Sequence, residues 1–144
     1  MGVKKLVAHL VKKHQTDDPF VIAENKGITI LYQDLGSTLG YFITYKRIPI
    51  ININSGLDYD MQRIVCAHEL GHAILHPKLN TPFMKKHTLF SIDKVEREAN
   101  RFAAELLISD ESIMNCASET INYIASIHNV PLELVKLKCE KLFL

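Results

Sequence analysis

With 144 residues and 47% hydrophobic side chains, the chain has the size and apolar content of one domain that can bury a core without disulfide or metal staples. Its 17 basic and 16 acidic residues nearly cancel, which excludes a whole-molecule field that would draw it onto nucleic acid or an anionic membrane. The basic start Met1-Gly2-Val3-Lys4-Lys5-Leu6 is followed by Lys12, Lys13 and His14 before any apolar run forms, so no signal peptide or membrane span is expected; the odd, scattered Cys66, Cys116 and Cys139 read as free thiols of a reducing cytosol.

Residues 3–14 place Val3, Leu6, Val7, Leu10 and Val11 at helical spacing, which predicts an amphipathic first helix. A short capped helix follows from Pro19 to Asn25 and ends at Gly27. Three runs rich in β-branched and aromatic residues then read as strands: residues 28–32, 40–45 and 48–54. Only Lys46 and Arg47 separate the last two, predicting a tight hairpin, and Pro49 predicts that its strand lies at a sheet edge or begins there.

From Asp58 the apolar period lengthens to that of a helix through Met61, Ile64, Val65, Leu70 and Ile74, until Pro77 closes it. Residues 78–92 read as irregular, with a short strand at Thr88-Leu89-Phe90. Residues 94–108 form a helical run free of Gly and Pro, Ser109-Asp110-Glu111 reads as a break and a new N-cap, and residues 118–142 read as two helices joined around His128-Asn129-Val130-Pro131. The expected organisation is one domain over 1–144: N-terminal helices and sheet (1–60), metal-binding helices (58–108) and C-terminal helices (109–144).

The chemistry concentrates in His68-Glu69-Leu70-Gly71-His72. Helical positions four apart share a face, so His68 and His72 can present two imidazole nitrogens to one zinc ion at about 2.0–2.1 Å. Glu69 stands about 100° further round the helix, toward the open side of that ion, where a carboxylate can serve a water molecule. Gly71 costs about 1 kcal/mol relative to Ala inside a helix, which points to close approach of a neighbouring element.

A catalytic zinc takes a third protein ligand. A histidine six residues after His72 is excluded, because that position is Lys78. Glu96 and Asn100 share a helix face, so Glu96 can bind the ion while Asn100 hydrogen-bonds a ligand imidazole from behind. Glu98 projects from another face, as a rim carboxylate or a site residue. His76 lies about 6 Å along the axis from His72 and reads as a capping or rim histidine.

His68-Glu69-Leu70-Gly71-His72-Ala73-Ile74-Leu75-His76, followed by Glu96-Arg97-Glu98-Ala99-Asn100-Arg101-Phe102-Ala103-Ala104-Glu105-Leu106-Leu107, resembles the ImmA/IrrE metallopeptidase family. The similarity extends to the strand pair before the motif, Asn80-Thr81-Pro82-Phe83 and the terminal helices; Ile108-Ser109 departs from the Met-Pro of many members. The resemblance implies an α+β, gluzincin-like fold with a small β-sheet, an active-site helix and a helical C-terminal part. It also implies a cytoplasmic bacterial or mobile-element protein, one Zn2+ on His68, His72 and Glu96, and a protein substrate that is often a helix-turn-helix repressor.

On this reading Glu69 is the general base of an endopeptidase. Arg63, His76, His87 and several tyrosines are eligible as oxyanion donors, and the edge character of residues 40–54 would let a substrate peptide add as a further strand. A rival from another class is a zinc-bound regulator or sensor that binds a partner without hydrolysing it. Direct DNA binding by residues 120–142, where Ala125, Asn129 and Val130 have helix-turn-helix-like spacing, is disfavoured because Glu133, Lys136, Lys138, Glu140 and Lys141 form no clean basic face.

Overall fold

The computed structural model describes residues 2–78, 93–116 and 118–142, without the side chains of residues 141 and 142. Helix α1 (Val3–His14) buries Val7 and Leu10 and stops where Gln15 turns left-handed at φ 54. The Asp18 carboxylate accepts from the Phe20 amide and Pro19 opens α2 (Pro19–Asn25), whose exit through Gly27 at φ 75 needs a residue without a Cβ.

Strands β1 (Thr29–Gln33), β2 (Gly40–Tyr45) and β3 (Ile48–Asn54) form a sheet ordered β1-β3-β2. β3 pairs in parallel with β1 from Thr29↔Ile50 to Gln33↔Asn54, and antiparallel with β2 from Gly40↔Ile53 to Tyr45↔Ile48. The hairpin forms at Lys46 and Arg47, both at positive φ. β3 is therefore the centre of the sheet, which corrects the edge reading of residues 40–54 for that strand. The central position follows from burial, since Ile51 and Ile53 are fully enclosed while β1 is mostly exposed. Pro49 is tolerated because it lies at the strand's start, one residue before the pairing with β1 begins.

Helix α3 (Tyr59–Leu75) packs across β2 and β3, and α4 (Lys94–Leu107) packs against α3, α1 and α7. The core joins Phe42, Ile51 and Ile53 of the sheet to Ile64, Val65 and Leu70 of α3, Phe102 of α4, and Leu134 and Val135 further on. Ser109 caps α5 (Asp110–Asn115), Thr120 caps α6 (Ile121–His128), and α7 (Leu132–Leu142) completes the helical C-terminal part. The architecture is the expected α+β arrangement of a small sheet with a motif-bearing helix. The strand expected at Thr88-Leu89-Phe90 and the Asn80-Thr81-Pro82-Phe83 segment lie outside the described residues. Among the described residues no helix is long and apolar enough to cross a membrane.

Lys138, one of the charges on the last helix that form no clean basic face, is 1% exposed. Its ammonium donates to Glu105 of α4 at 2.7 Å and also to Asp110 of α5, which Lys4 of α1 reaches at 2.7 Å. The burial of this lysine is set by distant carboxylates, not by its own helix.

Candidate metal centre

Two capped helices set the site. The Asp58 carboxylate accepts from the Met61 amide at 2.9 Å and starts α3; the Asp93 carboxylate accepts from the Val95 and Glu96 amides and starts α4, leaving Glu96 in its first turn. The helices meet closely at Gly71. A Cβ built there would lie 3.0 Å from the Phe102 Cβ and 3.1 Å from its Cγ and Cδ1, so the glycine allows the close approach anticipated from the sequence.

That approach brings together the residues singled out from the sequence. His68, Glu69 and His72 are at most 1% exposed, and each has a ligand atom within 4.8 Å of those of the others. The Glu96 carboxylate comes closer, with Oε2 3.0 Å from His68 Nε2 and Oε1 3.0 Å from His72 Nε2; the two Nε2 atoms are 3.2 Å apart. Asn100, one turn after Glu96, places Oδ1 2.7 Å from His68 Nδ1.

These contacts fix a tautomer. An amide oxygen only accepts, so His68 Nδ1 carries the proton, and in the neutral ring Nε2 turns a lone pair toward Glu96. The His72 contact to Glu96 Oε1 is short but not aligned as a hydrogen bond. Lone pairs therefore converge, an arrangement stabilised by a cation. The separations of 3.0–3.2 Å approach the edge of ~3.3 Å of a tetrahedron with zinc-type bonds, and two imidazoles with a carboxylate suit such an ion.

Two carboxylates in the cluster differ in their electrostatics. Both Glu69 oxygens are buried without a hydrogen-bond partner. Burial, opposed by His72 and reinforced by the Glu96 charge, pushes the Glu69 carboxyl up to about 8. Burial acts in the same upward direction on Glu96, but the close imidazoles of His68 and His72 outweigh it and hold that carboxyl at about 2.

His76 is the C-cap of α3, as its spacing implied, and its backbone N–H donates to the His72 carbonyl at 2.7 Å. Sequence reasoning left its side chain unassigned; Nδ1 lies 3.3 Å from His72 Nδ1 and Nε2 lies 3.3 Å from Glu98 Oε2. Glu98 is thus linked to the cluster through His76, a link signalled in the sequence only by the continuation of the His68-His72 stripe. Arg63 is half-buried on α3, and His87 lies outside the described residues.

Residues 23–140 match the family model described as the IrrE N-terminal-like domain, a peptidase family. The chain is 44% identical over 139 residues to an uncharacterized immunity region protein 2 of Bacillus phage phi105, covering 94% of this chain and 88% of that protein. It is 35% identical over 125 residues to the metallopeptidase ImmA of Bacillus subtilis strain 168, covering 85% of this chain and 70% of that one. With the paired helices, the converging imidazoles and a match over most of its length, the chain belongs to the IrrE N-terminal-like family of metallopeptidases.

Proposed function

We propose that the chain is a zinc-dependent endopeptidase that cleaves a cytoplasmic regulatory protein, a helix-turn-helix repressor of a phage or mobile element. His68, His72 and Glu96 hold one zinc ion, Asn100 orients His68, and Glu69 is the general base. The observation that carries the reading is the convergence of two imidazole nitrogens and a carboxylate at 3.0–3.2 Å, beside a second buried carboxylate that has no partner. Glu96 is taken as the third ligand because its oxygens approach both rings at 3.0 Å and it favours the ionised form. Bound there, zinc supplies a Lewis acid that polarises a peptide carbonyl and lowers the pKa of a water.

Glu69, a buried carboxylate beside the cluster with no hydrogen-bond partner of its own, is suited to take a proton from the attacking water and deliver it to the leaving amine. Ala73 shares its helix face, four residues on. Together with Phe42 and Thr44 of β2, and with Pro77, it lines a cleft of about 290 Å³. An extended peptide lying in that cleft would run along β2. The relatives' names, an immunity region protein and a metallopeptidase, support a regulatory protein as the target.

Incubating the zinc-loaded chain with the repressor encoded beside its gene, followed by mass spectrometry, tests this reading. One defined cut is expected from the unsubstituted chain and none from Glu69→Gln, which should still hold one zinc by elemental analysis. Normal cleavage by Glu69→Gln would remove Glu69 as base. Capture of an intact repressor by both proteins would favour a regulator that binds without proteolysis.

A further inference from the structure

The two imidazoles at the proposed centre are backed by different chemistry. His68 Nδ1 meets a neutral amide, Asn100. His72 Nδ1 instead meets another imidazole, His76, whose far nitrogen meets the Glu98 carboxylate. With His72 Nε2 taken as a metal ligand, its Nδ1 carries the proton and donates it to His76 Nδ1. His76 Nδ1 then accepts, which requires the proton of that ring on Nε2, where it donates to Glu98 Oε2. Given that ligand role, one placement of protons satisfies the contacts at Asn100, His76 and Glu98 together.

The geometry points to His76 and Glu98 as a positioning relay for the metal: a carboxylate acting through one imidazole fixes the tautomer and ring orientation of His72 and raises its basicity as a ligand. The inference rests on the assignment of His72 as a ligand. The backbone places His76 for this role, because its N–H to the His72 carbonyl, at 2.7 Å, holds the two rings with centroids 5.4 Å apart. The relay also grades burial. The side-chain exposure rises from 1% at His72 through 11% at His76 to 35% at Glu98, so the charge that stabilises the inner Nδ1–H stays partly solvated at the outer end. Carboxylates that back a ligand histidine commonly do so directly; here the reach from α4 to the outer nitrogen of His72 is completed by the cap residue of α3.

Zinc affinity measured by competition with a chromophoric chelator, and absorption spectra of the cobalt(II)-loaded chain, test the relay without reference to proteolysis. His76→Phe, which keeps a ring but removes the acceptor, should lower zinc affinity about 10- to 100-fold. Glu98→Gln should lower it in the same direction by less, and should shift the cobalt bands while leaving the melting temperature of the metal-free protein unchanged. In the His76→Phe background, Glu98→Gln should add nothing, because its effect passes through His76. Unaltered affinity and spectrum in Glu98→Gln would overturn the relay even if His76→Phe failed to fold, and additive losses in a folded double variant would overturn it too. His72→Ala is the control. If it loses stoichiometric zinc while the relay variants bind normally, only the relay is wrong; if it keeps zinc, the ligand assignment fails and the relay falls with it.

Discussion

Gly71 decides how near α4 can come to α3. An added methyl would meet the Phe102 side chain at 3.0–3.1 Å, and Phe102 is fully buried and cannot swing away. Overpacking of this kind costs about 1–3 kcal/mol, against a gain of about 1 kcal/mol from the better helix propensity of alanine. Gly71→Ala should therefore lower the stability of the metal-free protein by about 1 kcal/mol in urea denaturation. Truncating the opposing ring in Gly71→Ala/Phe102→Leu should cost less than the sum of the two single changes; simple additivity would mean that the contact is not limiting. The imidazole pair was legible because the four-residue spacing is a property of any helix, and Glu96 and Asn100 were legible for the same reason. The tie between His76 and Glu98 was not, since it exists only once α3 and α4 have docked. The burial of Lys138 was not legible for a related reason: nothing on α7 itself announces Glu105 or Asp110.

At the level of elements, the helices of residues 3–107 and the three strands of residues 28–54 emerged from periodicity within about two residues of where they lie, while the order of the strands did not. Three short apolar runs do not say which one the others flank, and β3 became central because its isoleucines face α3 with neighbours on both sides. The hairpin between β2 and β3 was expected to be tight, and it carries a cost that its sequence does not relieve. Lys46 and Arg47 stand at φ 49 and φ 69, a left-handed pair that Asn-Gly fills with less strain. Lys46→Asn/Arg47→Gly should raise stability by about 1 kcal/mol, read as an upward shift of the thermal midpoint. A fall would mean that the cationic side chains do more for the turn than the backbone loses by them. Their loss is small on energetic grounds, as Lys46 lies 5.4 Å above an exposed Tyr45 ring.

Over the whole molecule, Lys138 ties the last helix to the rest. It holds Glu105 of α4 and Asp110 of α5, while Lys4 of α1 reaches the same two carboxylates at 3.9 and 2.7 Å. Lys138→Met would leave the Glu105 side chain, 3% exposed, with only the longer Lys4 contact, and should cost about 3 kcal/mol in urea at neutral pH. Hydrogen bonds from Lys138 and Lys4 hold the Asp110 carboxyl below its ordinary 3.8. A depressed folded value means that this stabilisation is present above pH 3.8 and is lost as pH falls through the folded value. The gap between the native chain and Lys138→Met should accordingly narrow in acid below that point; a gap constant down to pH 2 would show that Asp110 takes no part. Glu69 stands in contrast to this satisfied network. A buried carboxyl without partners costs about 1–3 kcal/mol, so a neutral residue packed in its place would leave the fold sturdier. The most enclosed stretch of α3 thus keeps a group that folding alone would discard, setting robustness against reactivity. A search for hardier variants would be drawn to that position first and would remove the proposed chemistry with it.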